Sequence, residues 1–138
     1  MSSKEFHSTI KNLKHIRQFV EQELLKNSVP QNIINEIKIV IGEATANIYK
    51  YGYLKNEDIK NKILAKVLVV NNEIEIHLFD NGVKVDKSMV KPRDLSDIKP
   101  GKIGSYFIGK LVDYFDWSEK KSDWVNHLIL KKKIIKFI

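Results

Sequence analysis

The 138 residues predict an α+β fold, a two-layer α/β sandwich with helices on one face of a mostly antiparallel, mixed sheet. Two observations carry that prediction. Near residue 60 the apolar period changes from helical to alternating. The segments also follow the order strand, two helices, two strands, long polar loop, helix, two strands, so the helices have one sheet face to cover.

Taken in order, Glu5-Phe6-His7-Ser8-Thr9-Ile10 alternates polar and apolar residues and predicts a short first strand. Leu13, Ile16, Phe19, Val20, Leu24 and Leu25 fall at helical spacing and predict an amphipathic helix ending near Asn27-Ser28. Pro30 disfavours helix at Val29 and suits the first turn of the next helix. That second helix runs to about Tyr51, buries Ile37, Val40, Ile41, Ala44 and Ile48, and is stopped by Gly52.

After a polar loop, residues 63–70 and 73–79 alternate as two strands, joined at Asn71-Asn72, a tight turn because Asn tolerates positive φ. The hairpin delivers Asp80-Asn81-Gly82 to its end. Residues 83–103 carry Pro92, Pro100 and much charge, and a loop of that length in a compact domain is usually functional. Ile103 to Val112 reads as a helix opened by glycine. Residues 115–118 and 124–130 read as a closing hairpin, and no repeat or linker interrupts the chain.

Lys and Arg number 24 against 17 acidic residues, a net +7, which favours anionic partners. The excess is nearly all lysine and is spread along the chain; only Lys131-Lys132-Lys133 and Lys136 cluster, among strand-like residues. Without a compact patch of arginines and aromatics, no direct nucleic-acid partner is expected. Without cysteine there is no disulfide or thiolate metal site, which is compatible with a reducing cytoplasm. No apolar run reaches the length of a membrane span, and Met1-Ser2-Ser3-Lys4-Glu5 lacks a signal-peptide pattern, so a cytoplasmic protein is expected.

Three short stretches carry chemistry. Glu43 and Asn47 lie one turn apart on one edge of the second helix, so a carboxylate and an amide oxygen converge on one small object. Magnesium takes only one or two protein oxygens beside waters and phosphates, which one Asn can supply, leaving the Glu free as a base. Asp80 at a strand end is a strong acceptor, and Gly82 lets a flat ring approach the backbone. Pro100-Gly101-Lys102-Ile103-Gly104 before a helix exposes backbone N–H groups to an anion. Each stretch alone has a bland explanation: a solvated helix edge, a turn, a glycine-rich helix start.

Together and in this order they resemble the motifs of the GHKL ATPase and kinase superfamily, whose nucleotide fold is the Bergerat ATP-binding fold. Glu43-Ala44-Thr45-Ala46-Asn47, Tyr51-Gly52-Tyr53, Asp80-Asn81-Gly82, Lys91-Pro92-Arg93-Asp94-Leu95 and Pro100-Gly101-Lys102-Ile103-Gly104-Ser105-Tyr106-Phe107-Ile108 look most like the bacterial anti-sigma factor serine/threonine kinases. The similarity spans nearly the whole chain and implies a single ATP-binding kinase domain over residues 1–138.

The resemblance implies ATP and Mg2+ as ligands, Glu43 as the general base on the attacking hydroxyl, and Asn47 as the magnesium ligand. Asp80 would accept from the adenine amino group, with Gly82 giving the base room. Gly101 and Gly104, with Lys102 and Ile103 between them, would close over the phosphates; Lys50 would add charge there and Tyr51 would line the adenine side. The implied partners are a STAS-type anti-sigma antagonist and/or a sigma factor, and a second copy of the chain; no membrane partner is expected.

This chain departs from the family in three places. Tyr51 stands where many of these kinases have His, Lys102 where they have a second glycine, and Val125-Asn126-His127 where the last strand usually begins Gly-Thr. The first reading is therefore an ATP-dependent serine/threonine protein kinase acting as a partner-switching anti-sigma factor. The second is a nucleotide-binding interaction module with little or no turnover, and a third is ATP hydrolysis without a protein acceptor.

Overall fold

The computed structural model describes residues 1–86 and 108–134. Five described strands form one sheet in the order β1-β2-β3-β5-β4, from β1 (Ser2–His7), β2 (Lys62–Val70), β3 (Glu73–Asp80), β4 (Tyr114–Trp117) and β5 (Asn126–Lys133). Every pairing among them is antiparallel. α1 (Ile10–Lys26) and α2 (Gln31–Asn47) bury one apolar face each in the core shared with the sheet. Among the described residues no helix is long and apolar enough to cross a membrane.

The first strand lies earlier than its alternation predicts, and α1 starts earlier too. Thr9 is the reason: its Oγ1 accepts the Asn12 N–H at 3.1 Å, so the helix opens at Ile10 rather than Leu13. α1 closes where predicted. Val29 N–H bonds the Leu24 carbonyl and Ser28 N–H the Leu25 carbonyl, both at 3.1 Å, with Ser28 left-handed at φ 57. Pro30 sits at the N-cap of α2 rather than in its first turn, and its carbonyl accepts from Ile33 and Ile34.

α2 buries Ile33, Ile34, Ile37, Val40 and Ile41. Each of these contributes about 1.5–3 kcal/mol, enough to outweigh the roughly 1 kcal/mol that a mid-helix glycine such as Gly42 costs. Gly52 does not end this helix as a left-handed cap. The chain passes from α2 into a π-helical turn, Ile48–Gly52, closed by Tyr53 N–H on the Ile48 carbonyl at 2.9 Å. The left-handed residues that reverse it are Leu54 (φ 54) and Lys55 (φ 61).

In the central hairpin Asn71 and Asn72 hold φ 53 and 60, both left-handed, as a two-residue turn matched to strand twist requires. The register then builds the helix-facing side of the sheet in rows: Val67, Ile76 and Leu130, then Ala65, Leu78 and Leu128. One step further the row is Ile63, Asp80 and Asn126. The apolar face thus ends in a polar pair, because period-two alternation puts Asp80 on the same side as Ile74, Ile76 and Leu78.

The opposite face carries Glu75, His77, Phe79 and His127. His127 stacks on Phe79 with ring centroids 4.0 Å apart, and His77 Nδ1 lies 2.6 Å from His127 Nε2. The lysine cluster is divided by strand alternation. Lys132 reaches Glu36 at 2.8 Å and the Leu111 carbonyl, whereas Lys131 lies over the Tyr114 ring. Of the predicted helix from Ile103 to Val112, residues 108–111 are described and helical. Gly101, Lys102, Ile103 and Gly104 lie outside the described residues, as does Lys136.

Candidate functional site

The site is built where the end of β3 meets the end of the π-helical turn. Asp80, 4% exposed, is the last residue of the β3 ladder rather than the first residue beyond it. Its Oδ1 accepts from the Gly82 N–H at 2.9 Å and from Asn126 Nδ2 at 3.0 Å. Among the described residues nothing bonds its Oδ2. Burial pushes the Asp80 carboxyl above the ordinary carboxylate range, against the pull of the Asn126 and Gly82 bonds. One oxygen is therefore fixed by the protein and the other is left to accept from something else.

Gly82 lies against Gly52. A Cβ at Gly82 would stand 2.5 Å from the Gly52 carbonyl carbon and 2.7 Å from its Cα, and the Val83 N–H bonds the Gly52 carbonyl at 2.9 Å. A Cβ at Gly52 would lie 3.5 Å from Asp80 Oδ1. The two backbones come this close because Gly82 has no side chain. Tyr53 locks the same junction. Its hydroxyl accepts the Asn81 N–H at 2.7 Å and donates to the Lys62 carbonyl at 2.5 Å.

Glu43 and Asn47 lie on the same helix upstream of Gly52, both partly buried. Among the described residues neither side chain has a hydrogen-bond or ion-pair partner. From Asn47 to Gly52 is five residues, along the π-helical turn. Asp80 and Gly82 are thus joined to the helix that carries Glu43 and Asn47, through Gly52. Lys50 is exposed on the π-helical turn and Tyr51 is 53% exposed.

No group of three or more His, Asp or Glu able to hold a metal exists among the described residues. A magnesium ion here would take the Asn47 oxygen and otherwise water and phosphate oxygens. That donor set fits this hard, reluctantly dehydrated cation.

The parts that two residues play at the site are not legible in the sequence. Tyr53 stands in the Tyr51-Gly52-Tyr53 motif, but nothing local shows that its hydroxyl ties Asn81 to Lys62. Asn126, where the last strand usually begins Gly-Thr, reads as able to replace a polar contact near the nucleotide, but nothing local shows that it faces Asp80. Its place opposite Asp80 is a matter of strand register, and the turn chemistry that sets register spans residues 80 to 126.

A family sequence model described as the histidine kinase-like ATPase domain matches residues 6–132. A search among curated proteins found none that matches. Among solved structures, the RsbU and RsbW domains of a Mycobacterium tuberculosis protein superpose with a TM-score of 0.66 at 13% identity, covering 97% of this chain and 33% of that one. The histidine kinase domain of a blue-light activated histidine kinase from Erythrobacter litoralis gives 0.54 at 11% identity, covering 76% and 46%. The catalytic domain of the histidine kinase ThkA gives 0.54 at 12%, covering 97% of each chain. The chain spans about a third of the length of the first of these and under half of the second. At these identities the likeness is one of fold.

Proposed function

The chain belongs to the histidine kinase-like ATPase family, and from that premise we propose that it is an ATP-dependent serine/threonine protein kinase that acts as a partner-switching anti-sigma factor. The observation that carries the nucleotide part is the open Oδ2 of Asp80 beside the Gly52–Gly82 contact. That carboxylate lies beside Gly52, at the end of the π-helical turn that follows the helix carrying Glu43 and Asn47. The kinase and anti-sigma parts rest on the motif resemblance and on the fold shared with an RsbW-containing protein.

In this reading Asp80 Oδ2 accepts from the adenine amino group, and the glycine pair admits the ring. Asn47 offers an oxygen to magnesium, which when bound neutralises phosphate charge. Glu43 orients an acceptor serine hydroxyl and takes its proton as the oxygen bonds the γ-phosphorus and the bond to ADP breaks. Lys50 adds positive charge on the phosphate side and Tyr51 lines the base. Gly101, Lys102, Ile103 and Gly104 are assigned to the phosphates by their motif alone. The acceptor is a serine on a STAS-type antagonist, and a second copy of the chain completes a homodimer.

The alternative is a nucleotide-binding module with little or no turnover, favoured by Lys102 and by the missing Gly-Thr pair. Asn126 weakens the second argument, since it supplies a donor to Asp80 from that place in β5. The test is incubation of the purified chain with γ-labelled ATP, Mg2+ and a STAS-domain protein from the same genome. Serine labelling that Glu43→Ala slows at least roughly a hundredfold, with nucleotide still bound, supports the kinase. Nucleotide binding without labelling supports the module.

A further inference from the structure

We propose that Asn126 is a positioning residue for base recognition: it commits Oδ1 of Asp80 to the protein, so that Oδ2 alone is presented to the nucleotide. The proposal rests on the adenine reading of Asp80 and adds what sets that carboxylate's orientation.

Asn126 is 5% exposed and all of its amide groups are engaged inside the protein. Nδ2 donates to Asp80 Oδ1 at 3.0 Å and to the Val83 carbonyl at 2.9 Å, while Oδ1 accepts the Val85 N–H at 2.9 Å. Two acceptors on one side and one N–H on the other fix which way the amide faces. Both donors are therefore spent, and Asn126 acts on a ligand only through Asp80. Its place in the sheet points the same way. Leu130 and Leu128 continue an apolar row that would take a leucine next, and instead an amide stands opposite Asp80.

A free carboxylate can turn about its terminal torsion and share either oxygen. Here the Gly82 N–H and Asn126 Nδ2 converge on one oxygen, which holds the plane of the group. The same amide joins residues 83 and 85 to β5, so the backbone leaving Asp80 is positioned by the residue that orients its side chain.

The test compares ATP with purine riboside triphosphate, which lacks the 6-amino group, by calorimetry on the full chain. The wild type is expected to prefer ATP. Asn126→Leu is expected to lower that preference about tenfold, the loss of one charge-assisted bond, while affinity for purine riboside triphosphate changes less than about threefold. Asn126→Thr keeps a donor for Oδ1 and is expected to retain the preference. Removing the donor should also move the acid limb of ATP affinity to higher pH, and Asn126→Thr should not.

If Asn126→Leu does not fold, Asn126→Ala decides: it removes the donor to Asp80 without adding bulk, and should behave as Asn126→Leu does. Preservation of the ATP preference in a variant without the donor overturns the proposal and leaves the adenine reading standing. An equal fall for both nucleotides also overturns it, since that is what a merely structural role gives. A wild type without ATP preference overturns both.

Discussion

Gly82 packs against the backbone of Gly52 so closely that a Cβ on Gly82 would stand 2.5 Å from the Gly52 carbonyl carbon. The contact is asymmetric, because a Cβ on Gly52 would meet Asp80 Oδ1 at 3.5 Å and Ile48 Cγ2 at 3.7 Å, ordinary contact distances. Gly82→Ala should therefore force backbone apart and cost about 1–3 kcal/mol, as overpacking does, whereas Gly52→Ala should cost under about 1 kcal/mol. Urea unfolding of the two variants measures this. Equal costs would show that the junction yields more readily than its geometry implies.

The Tyr53 hydroxyl joins the Asn81 N–H to the Lys62 carbonyl from a side chain only 7% exposed. Tyr53→Phe leaves both backbone groups without that partner and should cost about 1–3 kcal/mol. ATP affinity should fall with it, because Asn81 stands between Asp80 and Gly82. A loss below roughly 0.5 kcal/mol in urea unfolding would mean that water replaces the hydroxyl.

Most of the layered fold is legible in the sequence, because its elements are set by local periods: the alternation in 63–70 and 73–79, the Asn71-Asn72 turn, the helical stripe from Ile37 to Ile48. What is not legible depends on register and on close approach. That Asp80 belongs to the apolar face, opposite Asn126, follows from pairing across 46 positions. That Gly52 serves contact rather than termination follows from Leu54 and Lys55 taking the left-handed turn, an assignment local propensity gives to the glycine. Glu43, Asn47 and Asp80 stand as candidates from the sequence because their motifs are local.

Acid should act on the protein through His127. Burial, followed by the neighbouring His77, Lys66 and Lys120, pushes its pKa from the ordinary 6.5 to about 4. Between those values the unfolded chain binds more protons than the folded one. The stability that His127 contributes is full above pH about 6.5 and is lost as pH falls toward about 4. His127→Gln should flatten the stability profile in that window, measured by urea unfolding across pH. An unchanged slope would place the acid sensitivity elsewhere. Asp80 has the opposite sign: with its pKa raised, its ionisation costs stability, and its contribution improves as pH falls through that raised value.

The most direct test of the account is a calorimetric titration of the chain and of Asp80→Asn with ATP in the presence of Mg2+. Asn126 and the Gly82 N–H both donate to Oδ1, so an Asn at position 80 would keep its oxygen there and turn its amide nitrogen to where Oδ2 stands. A donor would then face the adenine amino group, itself a donor. The account predicts binding by the wild type and a loss of roughly a hundredfold or more in the variant. Equal affinities, or no binding by the wild type, would contradict it.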